Sequence, residues 1–254
     1  IIADSNIASL DEFFNASTLG QNNKRPVNII SVAGRAINAQ LLAEYQPDVL
    51  LIRSVTPVGE PLLANNNSVQ FVGSATIGTD HVDQTYLAAR NITFANAAGC
   101  SKHSVAQYVL TAILNLRPQY WQKSTPPVTL GIIGLGNIGS TLVEYAHDLG
   151  WQVLGYDPLL PASTINNASF EQVLSQSHVI SLHVPLTDKK HATNPTGSDY
   201  ATRHLIDKEA LAAMPADTLL INSARGPVIN ADDLQADIAR TGRQVVLDVF
   251  EHEP

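Results

Sequence analysis

Short apolar runs punctuate this chain at regular intervals, each followed by a polar stretch or by apolar residues at helical spacing. Runs at Ile1–Ala3, Val27–Ser31, Val49–Ile52, Val69–Gly73 and Ile92–Ala95 read as strands separated by short helices or turns. Such alternation predicts an α/β unit with a largely parallel sheet. Val105 to Leu116 reads as a helix, interrupted by Gln107, Thr111 and Asn115 and too short to span a bilayer.

The period then sharpens. Val128 to Ile133 is a strand that runs into Gly134-Leu135-Gly136-Asn137-Ile138-Gly139, the G-x-G-x-x-G spacing of a dinucleotide-binding turn. Ile138, Leu142, Ala146 and Leu149 follow at helical spacing, with Gly150 placed to cap the helix. A strand from Trp151 to Gly155 leads to Asp157, 18 residues beyond Gly139, where a carboxylate is expected to accept hydrogen bonds from the adenosine ribose. Pro158-Leu159-Leu160 offers no cation for a 2′-phosphate, so NAD is favoured over NADP.

The pattern repeats to the end. A helix opens at the capping box Ser169-x-x-Gln172, and the strand Val179–Leu182 delivers His183-Val184-Pro185-Leu186. A polar insertion from Thr187 to about His204 reads as a surface loop. A helix at Lys208–Met214 then precedes the strand Thr218–Asn222, which delivers Ser223-Ala224-Arg225-Gly226. A last helix, Ala231–Arg240 capped by Asn230, precedes the strand Gln244–Leu247 and Asp248. Asp157, His183, Arg225 and Asp248 thus close strands of one sheet and are expected on one edge, where parallel sheets bind their ligands. Arg225 suits bidentate recognition of a carboxylate, Asp248 a hydrogen bond from the nicotinamide carboxamide, and Glu253 the orientation of a catalytic imidazole.

Two fold units are therefore expected, both Rossmann-like or flavodoxin-like with parallel sheets, the second a dinucleotide-binding Rossmann domain. The boundaries are 1–100 for the substrate domain, 101–127 for a connecting helix and the linker Lys123-Ser124-Thr125-Pro126-Pro127, and 128–254 for the NAD domain. In the first unit the loops after the third and fourth strands, Arg53-Ser54-Val55-Thr56 and Ser74 to His81, are rich in hydroxyls. They suit an anionic, oxygen-rich substrate, with Arg53, Arg35 or Lys102 to pair its charge.

Composition narrows the partners. A net charge of −8 without long like-charge runs argues against nucleic acid or an anionic membrane surface. The single cysteine, Cys100, excludes an internal disulfide framework and fits the cytoplasm. A packing role for Cys100 is favoured over a nucleophilic one, because no base motif surrounds it. No metal is expected.

With these residues in view, the sequence resembles the D-isomer-specific 2-hydroxyacid dehydrogenases along essentially its whole length. The resemblance rests on Ile52 to Thr56, Phe71 to Asp83, Ala98-Gly99-Cys100, the glycine motif, Ser223 to Gly226, and Leu247 to Phe250 with Glu253-Pro254. It implies NAD-dependent oxidation of a small phosphorylated 2-hydroxy acid. Arg225 would hold the carboxylate and polarise C2, Glu253 would support the acid/base histidine, and Ser54 and Thr76 would contact substrate. Gly134, Gly136, Asn137, Ile138, Gly139, Asp157, Val184, Ala224 and Asp248 would hold the cofactor. The full-length protein would be a homodimer.

Two departures stand out. Gln107 occupies a position where many members of the family have Glu, and the family's acid/base histidine falls in a segment that would follow Pro254, as does the returning segment of the substrate domain. None of the eight histidines carries over to that role, so the chain is expected to be a shortened form that binds NAD and turns over poorly. Two other readings stay open: a D-3-phosphoglycerate or hydroxypyruvate/glyoxylate dehydrogenase of the same family, and a non-catalytic NAD-sensing protein. Retention of Arg225 and Glu253 speaks against the sensor.

Overall fold

Among the described residues, ten strands form two five-stranded, wholly parallel sheets, one in each of two units, Ile1–Cys100 and Ser101–Pro254. The computed structural model describes residues 1–14, 27–121, 127–161, 168–189 and 198–252. Most of the linker, the centre of the insertion and Glu253 lie outside the described residues.

The first unit runs β1 (Ile2–Asp4), α1 (Leu10–Phe13), β2 (Ile30–Val32), α2 (Ala39–Tyr45), β3 (Val49–Ile52), α3 (Glu60–Leu63), β4 (Phe71–Ser74), α4 (Gln84–Ala89) and β5 (Thr93–Asn96). Its strand order is β2-β1-β3-β4-β5. The second runs α5 (Lys102–Leu116), β6 (Thr129–Ile133), α6 (Asn137–Asp148), β7 (Gln152–Tyr156), α7 (Phe170–Gln176), β8 (Val179–Leu182), α8 (Lys208–Ala213), β9 (Leu219–Asn222), α9 (Ala231–Thr241) and β10 (Val245–Leu247), in the order β10-β9-β8-β6-β7. Counted from its own first strand, the second sheet repeats the order of the first. Each reverses direction once, and that switch point opens a crevice beyond the carboxyl ends of the strands.

Pairing moves several predicted boundaries. β2 starts at Ile30 rather than Val27, because Ile2 pairs with Ile30 and Val27 stays exposed. β4 and β5 each end one residue later than their apolar runs, so Ser74 belongs to its strand. The helix read from Val105 begins at Lys102; it buries Ala106, Val109 and Ile113 and shares a core with α6 in the second unit.

Burial explains the strand compositions. β6, β8 and β9 are buried at every position, as expected for continuous apolar runs covered on both faces. β3 and β4 instead alternate buried with partly exposed positions.

Local hydrogen bonds set the helix ends. Ser169 and Gln172 form the reciprocal capping box. Asn38, Asp83, Asp207 and Asn230 cap α2, α4, α8 and α9 with side-chain oxygens. Gly150, at φ 74°, ends α6 by donating to His147 O while Trp151 N–H reaches Ala146 O, the Schellman arrangement.

No helix among the described residues is long and apolar enough to cross a membrane, and no group of His, Cys, Asp and Glu among them is placed to hold a metal ion.

Candidate functional site

Strand register places the second unit's polar residues. Ile133 pairs with Tyr156 and Leu182, and Asn222 pairs with Leu182 and Leu247, so these five end their strands in one row. Gly134, Asp157, His183, Ser223 and Asp248 come next in each strand and form the carboxyl edge of the sheet. Arg225 follows two residues after Ser223.

The three motif glycines meet different surroundings. Gly134 has φ 94°, and a Cβ there would lie 2.6 Å from His183 O. At Gly139 a Cβ would lie 2.0 Å from Gly134 O, so helix and strand touch through backbone. A Cβ at Gly136 would meet nothing within 4 Å. The middle of the turn is therefore open exactly where α6 begins. That helix has no side-chain cap and no acidic residue in its first turn, which leaves its unpaired N–H groups and dipole for an anion. These residues fit the pyrophosphate of a dinucleotide.

Asp157 braces this turn. Its Oδ2 accepts from Leu135 N–H at 3.0 Å and its Oδ1 from Leu159 N–H at 3.0 Å. Each oxygen keeps a further lone pair for a ribose hydroxyl.

Asn222 shapes the Arg225 loop from within. Its Oδ1 accepts from Ala224 N–H at 3.0 Å, and its Nδ2 donates to Arg225 O at 2.9 Å. Arg225 Nη1 donates to Ala224 O at 2.8 Å. Gly226 lets the chain pass: a Cβ there would lie 1.9 Å from Phe250 O. In the sequence Asn222 stands only as the end of a strand, and its amide followed by Ser-Ala-Arg-Gly is the signal for this role.

A second feature was not legible. His204 Nε2 and Glu251 Oε1 lie 2.5 Å apart, although they are 47 positions apart in the chain. Glu251 Oε2 also accepts from Ala231 N–H at 2.9 Å. The His204 hydrogen bond holds the Glu251 carboxyl below its ordinary value.

His183 is held by Ser181, whose Oγ lies 2.9 Å from its Nε2. The Nδ1 of His183 and the Oγ of Ser223 are buried without a partner. Burial lowers the His183 pKa from 6.5 to about 4. Between these values the unfolded chain binds a proton that the folded chain refuses. Stability contributed by neutral His183 is therefore complete above pH 6.5 and is lost as the pH falls toward 4, by about 3 kcal/mol over the interval. His183→Gln, which cannot ionise, is expected to remove this dependence. Urea midpoints of parent and variant at pH 7 and pH 5 measure it, and equal losses in both proteins would refute it. At pH 5 Glu251 adds little, because its stabilisation is lost only as the pH falls through the carboxylate range.

In the first unit, Ile52 pairs with Ser74, so Arg53-Ser54 and Ala75-Thr76 leave adjacent strands side by side. Arg53 is half-buried and Ser54 exposed. Thr76 Oγ1 donates to Gly78 O at 3.1 Å, so its proton is used. Ser74 Oγ, 2.7 Å away, must donate to Thr76, and then accepts from His81 Nε2–H at 3.2 Å. Asn96 Nδ2 closes the same loop on Ile77 O at 2.7 Å. Arg35 lies on an exposed turn after β2, and Lys102 opens α5 in the second unit. Cys100 is a free, exposed thiol, and Gln107 is exposed.

Comparison with known proteins agrees with this geometry. Residues 105–254 match the family model described as "D-isomer specific 2-hydroxyacid dehydrogenase, NAD binding domain". The chain is 72% identical over 263 residues to the erythronate-4-phosphate dehydrogenase of Psychrobacter cryohalolentis, covering all of this chain and 68% of the relative. Against the protein of the same name from Psychrobacter arcticus it is 73% identical over 262 residues, covering all of this chain and 69% of that one. Among solved structures, the NAD+-bound 3-phosphoglycerate dehydrogenase of Entamoeba histolytica superposes with a TM-score of 0.72 at 22% identity, covering 89% of this chain and 72% of that one. D-lactate dehydrogenase from Aquifex aeolicus, complexed with NAD and lactic acid, gives a TM-score of 0.72 at 24% identity, covering 99% and 77%. Together with the open glycine turn, these matches show that the chain belongs to the D-isomer-specific 2-hydroxyacid dehydrogenases and that its second unit carries their NAD-binding domain.

Proposed function

We propose that this protein, in its full-length form, oxidises the C2 hydroxyl of 4-phospho-D-erythronate to the 2-oxo acid and serves pyridoxal phosphate synthesis. The observation that carries the reading is the Asn222-braced loop holding Arg225 on the carboxyl edge of an NAD-binding sheet, beside Asp248. The names of relatives at 72–73% identity supply the substrate.

Arg225 binds the substrate carboxylate through two parallel N–H donors and stabilises the charge that develops at the C2 oxygen. Bound in the glycine turn of the second unit, NAD would supply the hydride acceptor for C2. Glu253 orients the imidazole that takes the hydroxyl proton. Ser54 and Thr76 hydrogen-bond the substrate, and Arg53 pairs with its phosphate. Thr76 contributes a lone pair, since its proton is engaged by Gly78 O. On the cofactor side, backbone at Gly134, Gly136, Asn137, Ile138 and Gly139 holds the pyrophosphate, and Asp157 the adenosine ribose. Val184, Ala224 and Asp248 complete the set, Asp248 at the carboxamide. The same reading makes the protein a homodimer and places it in the cytoplasm, the latter in keeping with one cysteine in 254 residues.

D-3-phosphoglycerate shares the carboxylate, the C2 hydroxyl and the terminal phosphate. NAD reduction by the full-length protein with each acid tests the assignment. A higher kcat/KM for 4-phosphoerythronate is expected; a clear preference for 3-phosphoglycerate, or no turnover of either, overturns it.

A further inference from the structure

The turn that carries Arg225 is held from outside as well as from within. Arg225 O accepts from Asn222 Nδ2 at 2.9 Å and from Val228 N–H at 3.2 Å, which winds Gly226–Val228 into one 3₁₀ turn. Two outside contacts then fix where that turn stands. His204 N–H donates to Pro227 O at 2.8 Å. On the other side the Phe250–Glu251 peptide packs on Gly226 so closely that a Cβ there would lie 1.9 Å from Phe250 O and 2.5 Å from Glu251 N. A single side-chain hydrogen bond joins the two contacts, because Glu251 Oε1 lies 2.5 Å from His204 Nε2. The Glu251 carboxyl is held below its ordinary value, so it is ionised at neutral pH and only accepts; His204 Nε2 carries the shared proton.

Packing and helix capping do not account for this pair. His204 takes φ 54°, in the left-handed region that favours glycine, a conformation that persists only where the surroundings impose it. Its side chain is 39% exposed, so the strain is not repaid by burial in the core. Glu251 Oε2 accepts from Ala231 N–H at 2.9 Å, yet α9 already has its cap, since Asn230 Oδ1 accepts from Asp233 N–H at 3.0 Å. What the pair alone provides is a link between the residue bonded to Pro227 O and the peptide lying on Gly226.

We propose that His204 and Glu251 are positioning residues for Arg225: their hydrogen bond seats the Phe250–Glu251 peptide on Gly226 and so fixes the backbone from which the Arg225 side chain projects. The inference rests on Arg225 as the residue that binds the substrate carboxylate. Asp248 is pinned separately, by its N–H to Asn222 O at 3.0 Å, and keeps its place without the pair. The effect therefore falls on the substrate side of the site. Misplacement of a binding group by about 1 Å costs on the order of a hundredfold in rate.

Steady-state kinetics of the full-length protein, beside fluorescence titration with NADH, tests the proposal with whichever acid the parent turns over. His204→Ala is expected to lower kcat/KM about tenfold to a hundredfold, most of it in kcat, with NADH affinity within about twofold of the parent. His204→Gln, whose amide Nε2 can still donate to Glu251, is expected to recover most of the loss. Glu251→Ala should match His204→Ala, and the double variant should be no slower than the slower single one, because both remove the same bond. Parent-like kcat in His204→Ala overturns the proposal, even where its urea midpoint falls, since the pair would then be only structural. So do losses that multiply in the double variant, or a Gln variant as slow as the Ala variant. A parent without turnover of either phosphorylated acid overturns the catalytic reading and the proposal with it, whereas an active parent with an unaffected His204→Ala overturns the proposal alone.

Discussion

Arg225→Lys in the full-length enzyme is expected to lower kcat/KM by about 100- to 1,000-fold, about 3–4 kcal/mol of transition-state stabilisation, while NAD affinity stays near that of the parent. The charge is kept and the planar fork is lost. Lysine is a point charge on a flexible stem and cannot offer two parallel donors to a carboxylate. The loop should survive the change, because its shape comes from Asn222 through Ala224 N–H and Arg225 O and from the close passage of Gly226 under Phe250 O. Steady-state kinetics with the preferred acid, beside a fluorescence titration with NADH, separates the two quantities. A variant that keeps turnover within about tenfold would sink the bidentate role.

The largest effect on stability is expected at Arg243. Its side chain is fully buried and donates to Asp237 Oδ2 at 2.6 Å, Pro215 O at 2.8 Å and Leu211 O at 3.1 Å. One guanidinium thereby ties α8, α9 and the start of β9 together. Arg243→Ala leaves the Asp237 carboxylate buried with, among the described residues, the exposed Arg240 as its one charged partner, and a loss of about 3–5 kcal/mol is expected. Joint replacement by apolar residues, Asp237→Leu with Arg243→Met, should recover most of it, because no uncompensated charge remains. The solvent-exposed pair Arg203–Asp188 has an equally close contact, 2.5 Å, and the opposite environment; Arg203→Ala should cost less than about 1 kcal/mol. Chemical denaturation of the three variants distinguishes burial from mere proximity, and equal losses for Arg243→Ala and Arg203→Ala would refute the account.

The order of these effects could not have been read from the residues alone. Arg243 and Asp237 sit near the end of a polar helix that resembles any solvated face. Only the packing of α8 and α9 against β9 makes them interior. His204 and Glu251 meet although they lie 47 positions apart, and the Ser74–Thr76–His81 relay depends on a turn that no periodicity announces.

What the amino-acid sequence determined by itself is what acts over a few residues. The capping box at Ser169 and Gln172, the Asn230 cap, the left-handed Gly150 and the strand-turn-helix at Gly134 to Gly139 all arise from neighbours along the chain, so their chemistry was visible before any fold. Strand ends were visible for the same reason, and they carried Asp157, Arg225 and Asp248 to one edge. Tertiary structure alone decided which strands pair, that Ile30 rather than Val27 begins β2, that the helix from Lys102 shares the core of the second unit, and that Thr187 and Thr202 meet across the insertion. Those outcomes depend on which surfaces exclude water together, a free energy that belongs to pairs of distant segments and leaves no local mark on either.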